Sequence, residues 1–365
     1  MVTAVLSDLH LGTEPAGPLG REEIRRRLFA EIERADRVIL LGDVLELRAL
    51  PVAQVVTRAL PFLEELGEMV GDRSVVFVPG NHDHQLAVPW LERQRASRRP
   101  RPLGLESVVK PGRADLLGRL AARMGVAEVG LAYPGTWLRA DTYATHGHYL
   151  DCHMTVPRVE CLAIAAIRRM RGGLPGPSCS AEDYEAILAP LYAFAYSLAQ
   201  FVVPGSQPPG VGTSSRMWAR VHACGGRDLR GRLLGGVAIP AAVRLLNRLG
   251  LGPFSADLSG IELRRAGLRA IGDVAERLGV AADHLIFGHT HRAGPLSGDQ
   301  DWVTPSGIAL TNAGSWVYEP ALLSGEGPAN PYWPGVVALV GDSGPPQLIR
   351  PLSGLDRADL APAPH

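Results

Sequence analysis

The residues able to do chemistry fall in short clusters. Asp8 and His10 stand in SDLH, Asp43 and Glu46 in GDVLE, and Asn81, His82, Asp83 and His84 in GNHDH. His146 and His148 follow in THGH, and His289 and His291 in GHTH. Carboxylate, imidazole and one amide oxygen make a mixed nitrogen and oxygen donor set. It suits manganese, iron, zinc, nickel or cobalt and is a poor match for thiolate-seeking ions. Residues two apart in an extended segment point to one side, so Asp8/His10, His146/His148 and His289/His291 can each offer both side chains to one pocket. One ion takes roughly four to six donors, and the donors here exceed that. Two ions about 3.5–4 Å apart, bridged by a carboxylate and a hydroxide, would use them all. Such a hydroxide is a nucleophile near neutral pH, and paired cations neutralise phosphoryl oxygens, so the residues point to phosphoester hydrolysis. Taken singly the clusters are ordinary: D-x-H often caps or packs, GD often only turns a chain, and an Asn commonly caps a turn. The weight lies in all of them following apolar runs in one chain.

Those runs are Thr3–Leu6, Val38–Leu41, Val75–Val78, Thr142–Ala144 and Leu285–Phe287. Their length and lack of alternation predict strands covered on both faces. The patterns over Arg21–Asp36 and Val52–Gly67 predict helices between the early ones. Strand–helix alternation predicts an α/β architecture, in which ligands gather beyond the carboxyl ends of the strands. Residues 152–282 read differently, with helix-like blocks at 159–170, 185–202 and 233–250 and Gly/Pro loops at 172–178 and 204–214. Strand-like runs resume at Ile308–Thr311, Val336–Val340 and Gln347–Ile349, and the stretch from Ser353 reads as a frayed tail. The expected division is therefore 1–151 as the first part of the core and 152–282 as a mostly helical insertion or cap. Residues 283–352 form the second part of the core, and 353–365 the tail.

A chain of 365 residues that is 46% hydrophobic can bury a full core. Lys+Arg and Asp+Glu are equal at 37 each, so the chain as a whole has no pull toward nucleic acid or anionic lipid. The cysteines Cys152, Cys161, Cys179 and Cys224 form no C-x-x-C pair. The opening MVTAVLSDLH has neither a basic n-region nor a long apolar h-region, so a cytoplasmic location is expected. Residues 186–215 carry no charge, but Pro190, Ser197 and Gln200 interrupt the apolar run. A buried or membrane-surface helix is expected there, not a span.

As a set, Asp8-Leu9-His10, Gly42-Asp43-Val44-Leu45-Glu46, Gly80-Asn81-His82-Asp83, His146 and Gly288-His289-Thr290-His291 resemble the motifs of the calcineurin-like metallophosphoesterase superfamily. Asn312-Ala313-Gly314-Ser315 resembles the small turn that follows the last of them. The resemblance is dispersed over residues 5–315 and leaves out 152–282. It implies a four-layer αββα sandwich of two mixed sheets. It implies that Asp8, His10, Asp43 and His291 hold one divalent ion and that Asp43, Asn81, His146 and His289 hold the other, with Asp43 as bridge. Manganese would be the metal expected to support activity in vitro. It further implies that His82, not itself a ligand, contacts the phosphate with Asn81 and protonates the leaving oxygen, and that the Glu46 carboxylate orients His82. Asp83 is expected to be a structural hydrogen-bonder. His84 and His148 are expected behind the ligands or facing solvent, with His148 placed where it can touch substrate.

SDLHLG, with Glu at position 46, is similar to the UDP-2,3-diacylglucosamine pyrophosphatase branch, although His82 stands where that branch carries Arg. A phosphate-containing small molecule or a lipid-linked nucleotide is thus the expected substrate, and nucleic acid is not favoured. Residues 152–282 would be either a cap buried against the core or a peripheral membrane contact. A reading from another class is a scaffold protein of the same fold that has lost its metals. It would show missing donors, whereas every expected donor type is present here.

Overall fold

Strands form where the apolar runs lie. In the computed structural model, which describes residues 1–13, 17–174, 176–202, 239–323 and 327–361, β1 (Thr3–Leu6), β2 (Arg37–Leu41) and β3 (Ser74–Val78) pair in parallel. Thr3 lies beside Arg37 and Arg37 beside Ser74, so the three carboxyl ends are level. The crossovers are α1 (Glu22–Ile32) and α2 (Val52–Val70), as their periodicity predicts. A second parallel set, β6 (Thr142–Thr145), β7 (His284–Phe287) and β8 (Ala309–Asn312), also ends level. Between the two sets run β4 (Glu106–Val109) and β5 (Glu128–Arg139). The amino-terminal half of β5 pairs with β3 and its carboxyl-terminal half with β6. β9 (Val337–Val340) and β10 (Gln347–Ile349) extend the β1 edge antiparallel. The hydrogen-bonded order is β10-β9-β1-β2-β3-β5-β6-β7-β8, with β4 on β5, so the fold is mixed α/β.

Alternation along the strands shows how the layers stack. Val5, Ile39 and Leu41 from the first set pack with Ala144 and Ile286 from the second in one small cluster. Their neighbours Ala4, Leu6, Leu40, Leu285 and Phe287 face the opposite way, into the larger core that includes the helices. Period-two alternation separates the two faces. The expected two sheets therefore face each other with helices outside, joined through β5 into one hydrogen-bonded network. β5 is not legible in the sequence because Gly130, Pro134 and Gly135 punctuate it. Pro134 is tolerated where the pairing with Glu106 is irregular, since a missing N–H costs least at a bulge.

The described part of 152–282 holds α5 (Val159–Met170), α6 (Ala181–Ala199), α7 (Ile239–Arg248) and α8 (Gly260–Leu278). The expected loop at 204–214, Cys224 and the start of the block at 233–250 lie outside the described residues. α6 begins with a reciprocal cap between Ser180 and Asp183, and it buries Tyr184, Glu185, Leu188 and Tyr192. Among the described residues no helix is long and apolar enough to cross a membrane.

The expected frayed tail is corrected for residues 353–361, its described part. α9 (Arg357–Leu360) is capped by Asp356, Arg21 donates to the carbonyls of Asp359 and Ala361, and Leu360 is 1% exposed. An isolated polar-looking stretch hides such docking because one leucine and a distant arginine supply it. Leu360→Ala is expected to lower the unfolding free energy by about 2 kcal/mol. An unchanged denaturation midpoint would show that this segment is not packed.

Candidate metal centre

Level strand ends put the chemical clusters on one edge. Asp8 follows β1 by two residues, Asp43 follows β2 by two and Asn81 follows β3 by three. His146 follows β6 directly and His289 follows β7 by two. The two halves meet there, with the His289 backbone N–H donating to Asp8 Oδ2 at 3.0 Å. The Asn312 side chain donates to the Gly288 carbonyl and to Thr290 Oγ1, holding the GHTH turn.

Backbone conformation marks the same residues. Asp8, His10, Asp43, His289 and His291 all have left-handed φ, at 55°, 45°, 51°, 64° and 59°. Among the described non-glycine residues only Asp301 shares this. Each such residue costs about 1–3 kcal/mol, and strain of this kind gathers at functional sites. Asp83 supports the arrangement as expected. Its buried carboxylate accepts from the backbone N–H groups of Gly80 (2.7 Å), Val44 (2.8 Å) and Asp43 (3.2 Å), tying the GNHDH turn to the GD turn. Two glycines are required by close approach. A Cβ on Gly80 would lie 2.3 Å from Asp43 Oδ1, and one on Gly288 would lie 2.4 Å from Asp8 Oδ2.

The side chains converge in three groups, one of them His10 with Glu46 and His82, and two of them made of the expected ligands. Donor atoms of Asp8, His10 and His291 all lie within 4.8 Å of one another, and so do those of Asp43, His146 and His289. Within the first, His291 Nε2 is 3.3 Å from Asp8 Oδ1. Within the second, Asp43 Oδ2 is 3.2 Å from His146 Nε2, and Asn81 Oδ1 is 3.2 Å from His146 Nε2 and 3.0 Å from His289 Nδ1. Asp43 Oδ2 also comes within 3.7 Å of His10 Nε2, so it reaches both sets. Donors bound at about 2.0–2.2 Å to one ion stand about 3–3.5 Å apart, which is close to these separations.

The outer nitrogens of His10, His82, His146 and His289 have protein partners. Glu46 accepts from His10 Nδ1 at 2.8 Å and from His82 Nδ1 at 2.7 Å. His146 Nδ1 donates to the Leu41 carbonyl at 3.1 Å, and His289 Nε2 pairs with Asp151 Oδ2 at 3.0 Å. Such partners fix the tautomer and aim the other nitrogen inward. His10 Nε2 and Asp8 Oδ1 are then two buried acceptors 4.0 Å apart, and neither has a hydrogen-bond partner. Two buried acceptors facing each other are unfavourable unless a cation lies between them. The residues present therefore fit divalent ions.

Electrostatics tell the same story. Burial pushes the Asp43 carboxyl up, but His146, His82 and His10 together hold it well below the ordinary range. Burial would lower His146, yet Asp43 and Asp8 raise it to about 10. The site thus draws positive charge to itself. Burial likewise disfavours the His82 cation, and the Glu46 and Asp43 charges outweigh it, raising His82. His82 and His291 are the open members, with side chains 26% and 22% exposed.

His84 and His148 are both buried and not solvent-facing. His84 Nε2 pairs with Glu185 Oε2 of α6 at 2.9 Å, and Glu185 Oε1 accepts from the hydroxyls of Tyr133 (2.5 Å) and Tyr149 (2.9 Å). His148 lies behind His146, with ring centroids 5.7 Å apart and Nε2 3.3 Å from the Tyr133 hydroxyl. Asp151 and Glu185 escape sequence reasoning because neither sits in a cluster. Asp151 is also held by Arg158 Nη2 at 2.7 Å.

Residues 1–162 match the model of the family described as calcineurin-like phosphoesterase. The match includes Asp8, His10, Asp43, Glu46, Asn81, His82, His146 and His148, while His289 and His291 lie beyond it and are brought in by the fold. No curated protein matches the chain. A solved dimetal phosphatase from Danio rerio aligns over 96% of this chain and 98% of its own at 11% identity, with a TM-score of 0.34. Because Asp43 Oδ1 is held by the His82 backbone N–H at 2.8 Å, it cannot yield to a Cβ at position 80. Gly80→Ala is expected to weaken metal binding at least about tenfold, read as ions bound per chain after equilibrium dialysis. Full occupancy at wild-type affinity would refute the close approach.

Proposed function

We propose, from the phosphoesterase domain matched in residues 1–162, that the chain is a dinuclear metal-dependent hydrolase of phosphoester or pyrophosphate bonds. The observation that carries this reading is the pair of buried acceptors without a hydrogen-bond partner, Asp8 Oδ1 and His10 Nε2, beside two donor sets that Asp43 reaches. Asp8, His10, Asp43 and His291 would hold one ion, and Asp43, Asn81, His146 and His289 the other. When bound, manganese, iron, zinc, nickel or cobalt ions supply water activation and neutralise phosphoryl charge.

The chain's own residues supply the rest. Glu46 accepts the Nδ1 proton of His82 in a hydrogen bond, so Nε2 is the free nitrogen, 4.0 Å from Asp43 Oδ2 in a side chain that is 26% exposed. The raised basicity of His82 lets Nε2 carry a proton and deliver it to the leaving oxygen. Glu46 holds His10 and His82 with one carboxylate, tying a candidate ligand and the proton donor to one geometry. Both rings are thereby positioned before substrate arrives, which is where such a site gains its rate.

A lipid-linked nucleotide diphosphate is the second reading. It is favoured by Phe194, Leu198 and Phe201, which are exposed at i, i+4 and i+7 on and just after α6. This pattern suits a contact with a membrane surface through 152–282.

Hydrolysis of bis-p-nitrophenyl phosphate and p-nitrophenyl phosphate, with Mn²⁺ and with EDTA, tests the main reading. Turnover that EDTA abolishes is expected, and the preferred ester sorts diesters and pyrophosphates from monoesters. Absence of both turnover and bound metal would return the scaffold reading. His82→Ala is expected to lower kcat by about 10²-fold or more while both ions stay bound, as measured by metal analysis beside kinetics. Loss of metal in that variant would make His82 a ligand.

A further inference from the structure

We propose that Arg48 binds a phosphoryl oxygen of the substrate and that α5 and α6 set its position, so the helical segment builds the anion-binding wall of the site. This rests on the metallophosphoesterase reading. Arg48 lies two residues beyond Glu46, and its backbone N–H donates to Glu46 Oε1 at 3.3 Å. Its side chain is 12% exposed. Nη2 donates to Glu160 Oε1 of α5 at 2.5 Å, and the guanidinium lies over the Tyr192 ring of α6, 5.8 Å from its centroid. Both holding groups come from the segment between the two halves of the fold.

The remaining donors of Arg48 have no adequate acceptor once the centre is loaded. Nε is buried without a hydrogen-bond partner. Nη1 stands 2.8 Å from the outer atom of the Asn81 amide, whose inner atom faces His146, His289 and Asp43. With Nδ2 turned inward, Asn81 donates to that inner group and its oxygen accepts from Arg48. As a metal donor, Asn81 must turn its oxygen inward, and Nδ2 then faces Arg48 Nη1. Two donors cannot satisfy each other, and buried donors left unpaired are costly. Both then need an acceptor from outside the protein beside Asn81. A phosphoryl oxygen meets that need, because it accepts from several donors at once and the planar guanidinium matches phosphate geometry. The hydroxyl of Tyr192, whose ring Arg48 lies over, is also buried without a hydrogen-bond partner.

The test uses the metal-loaded full chain and inorganic phosphate as probe, titrated calorimetrically, with ions per chain measured in parallel. Wild type binding two ions and hydrolysing either bis-p-nitrophenyl phosphate or p-nitrophenyl phosphate secures the underlying reading, and failure to bind metal or to turn over either ester would sink that reading before Arg48 is addressed. Arg48→Gln is then expected to keep both ions, weaken phosphate binding at least tenfold and raise KM more than it lowers kcat. Phosphate affinity within twofold of wild type would overturn the proposal. Should Arg48→Gln lose metal, Glu160→Gln decides. It releases Arg48 from α5 without touching the ligands, so weakening of phosphate binding by threefold or more supports the proposal and unchanged affinity overturns it.

Discussion

Three buried carboxylates crowded among imidazoles set the terms for the rest of the molecule. Asp8, Asp43 and Glu46 are each nearly inaccessible to water, and charge removed from water is tolerated only when paired or bound to metal. Glu46 is paired by two histidines. Asp43 has His146 at 3.2 Å and a backbone N–H. Asp8 keeps one oxygen with no hydrogen-bond partner, with His291 Nε2 3.3 Å from it. A cation-seeking pocket follows from that imbalance. The left-handed backbone at five donor positions is the conformational cost of aiming the side chains together.

Rigidity around the pocket comes from hydrogen bonds one step outward. Asp83 gathers backbone N–H groups from two strand-end turns, and Asn312 holds the third. Asp151, itself fixed by Arg158, orients His289, so residues just beyond β6 steady a donor that follows β7. None of these groups is expected to touch substrate. They decide whether the inner atoms stand in place before it arrives, and small displacements of such atoms are expensive in rate.

The helical segment is joined to this frame by polar contacts as well as by packing. Glu185 of α6 is buried and accepts from His84, Tyr133 and Tyr149, while Glu160 of α5 grips Arg48. A helix held by a buried, fully hydrogen-bonded carboxylate is registered to its partner, because a shift would strand the charge. The described part of the uncharged run, 186–202, therefore has an inward face, with Tyr192 against His84, His148 and Arg48, while Phe194, Leu198 and Phe201 remain exposed.

The sequence by itself determined the donor types, their place after apolar runs, the early strand–helix alternation and the helical character of the described parts of 152–282. Each of these is local: a strand end, a turn and a period of 3.6 need no distant partner to be read. Glu46 beside His82, 36 residues away, was legible only through the resemblance of the motifs, whereas Asp83 lies within the cluster it serves. Only the tertiary structure decided the rest. β5 hides behind Gly130, Pro134 and Gly135, since pairing on both edges, not propensity, makes it a strand. Asp151, Glu185 and Arg48 acquire partners 138, 101 and 112 residues away, and the contact of His289 with Asp8 spans 281 residues. Such pairings depend on strand order and register, which fix which ends lie side by side. No local pattern encodes that, because the free energy that selects it is shared across the whole core.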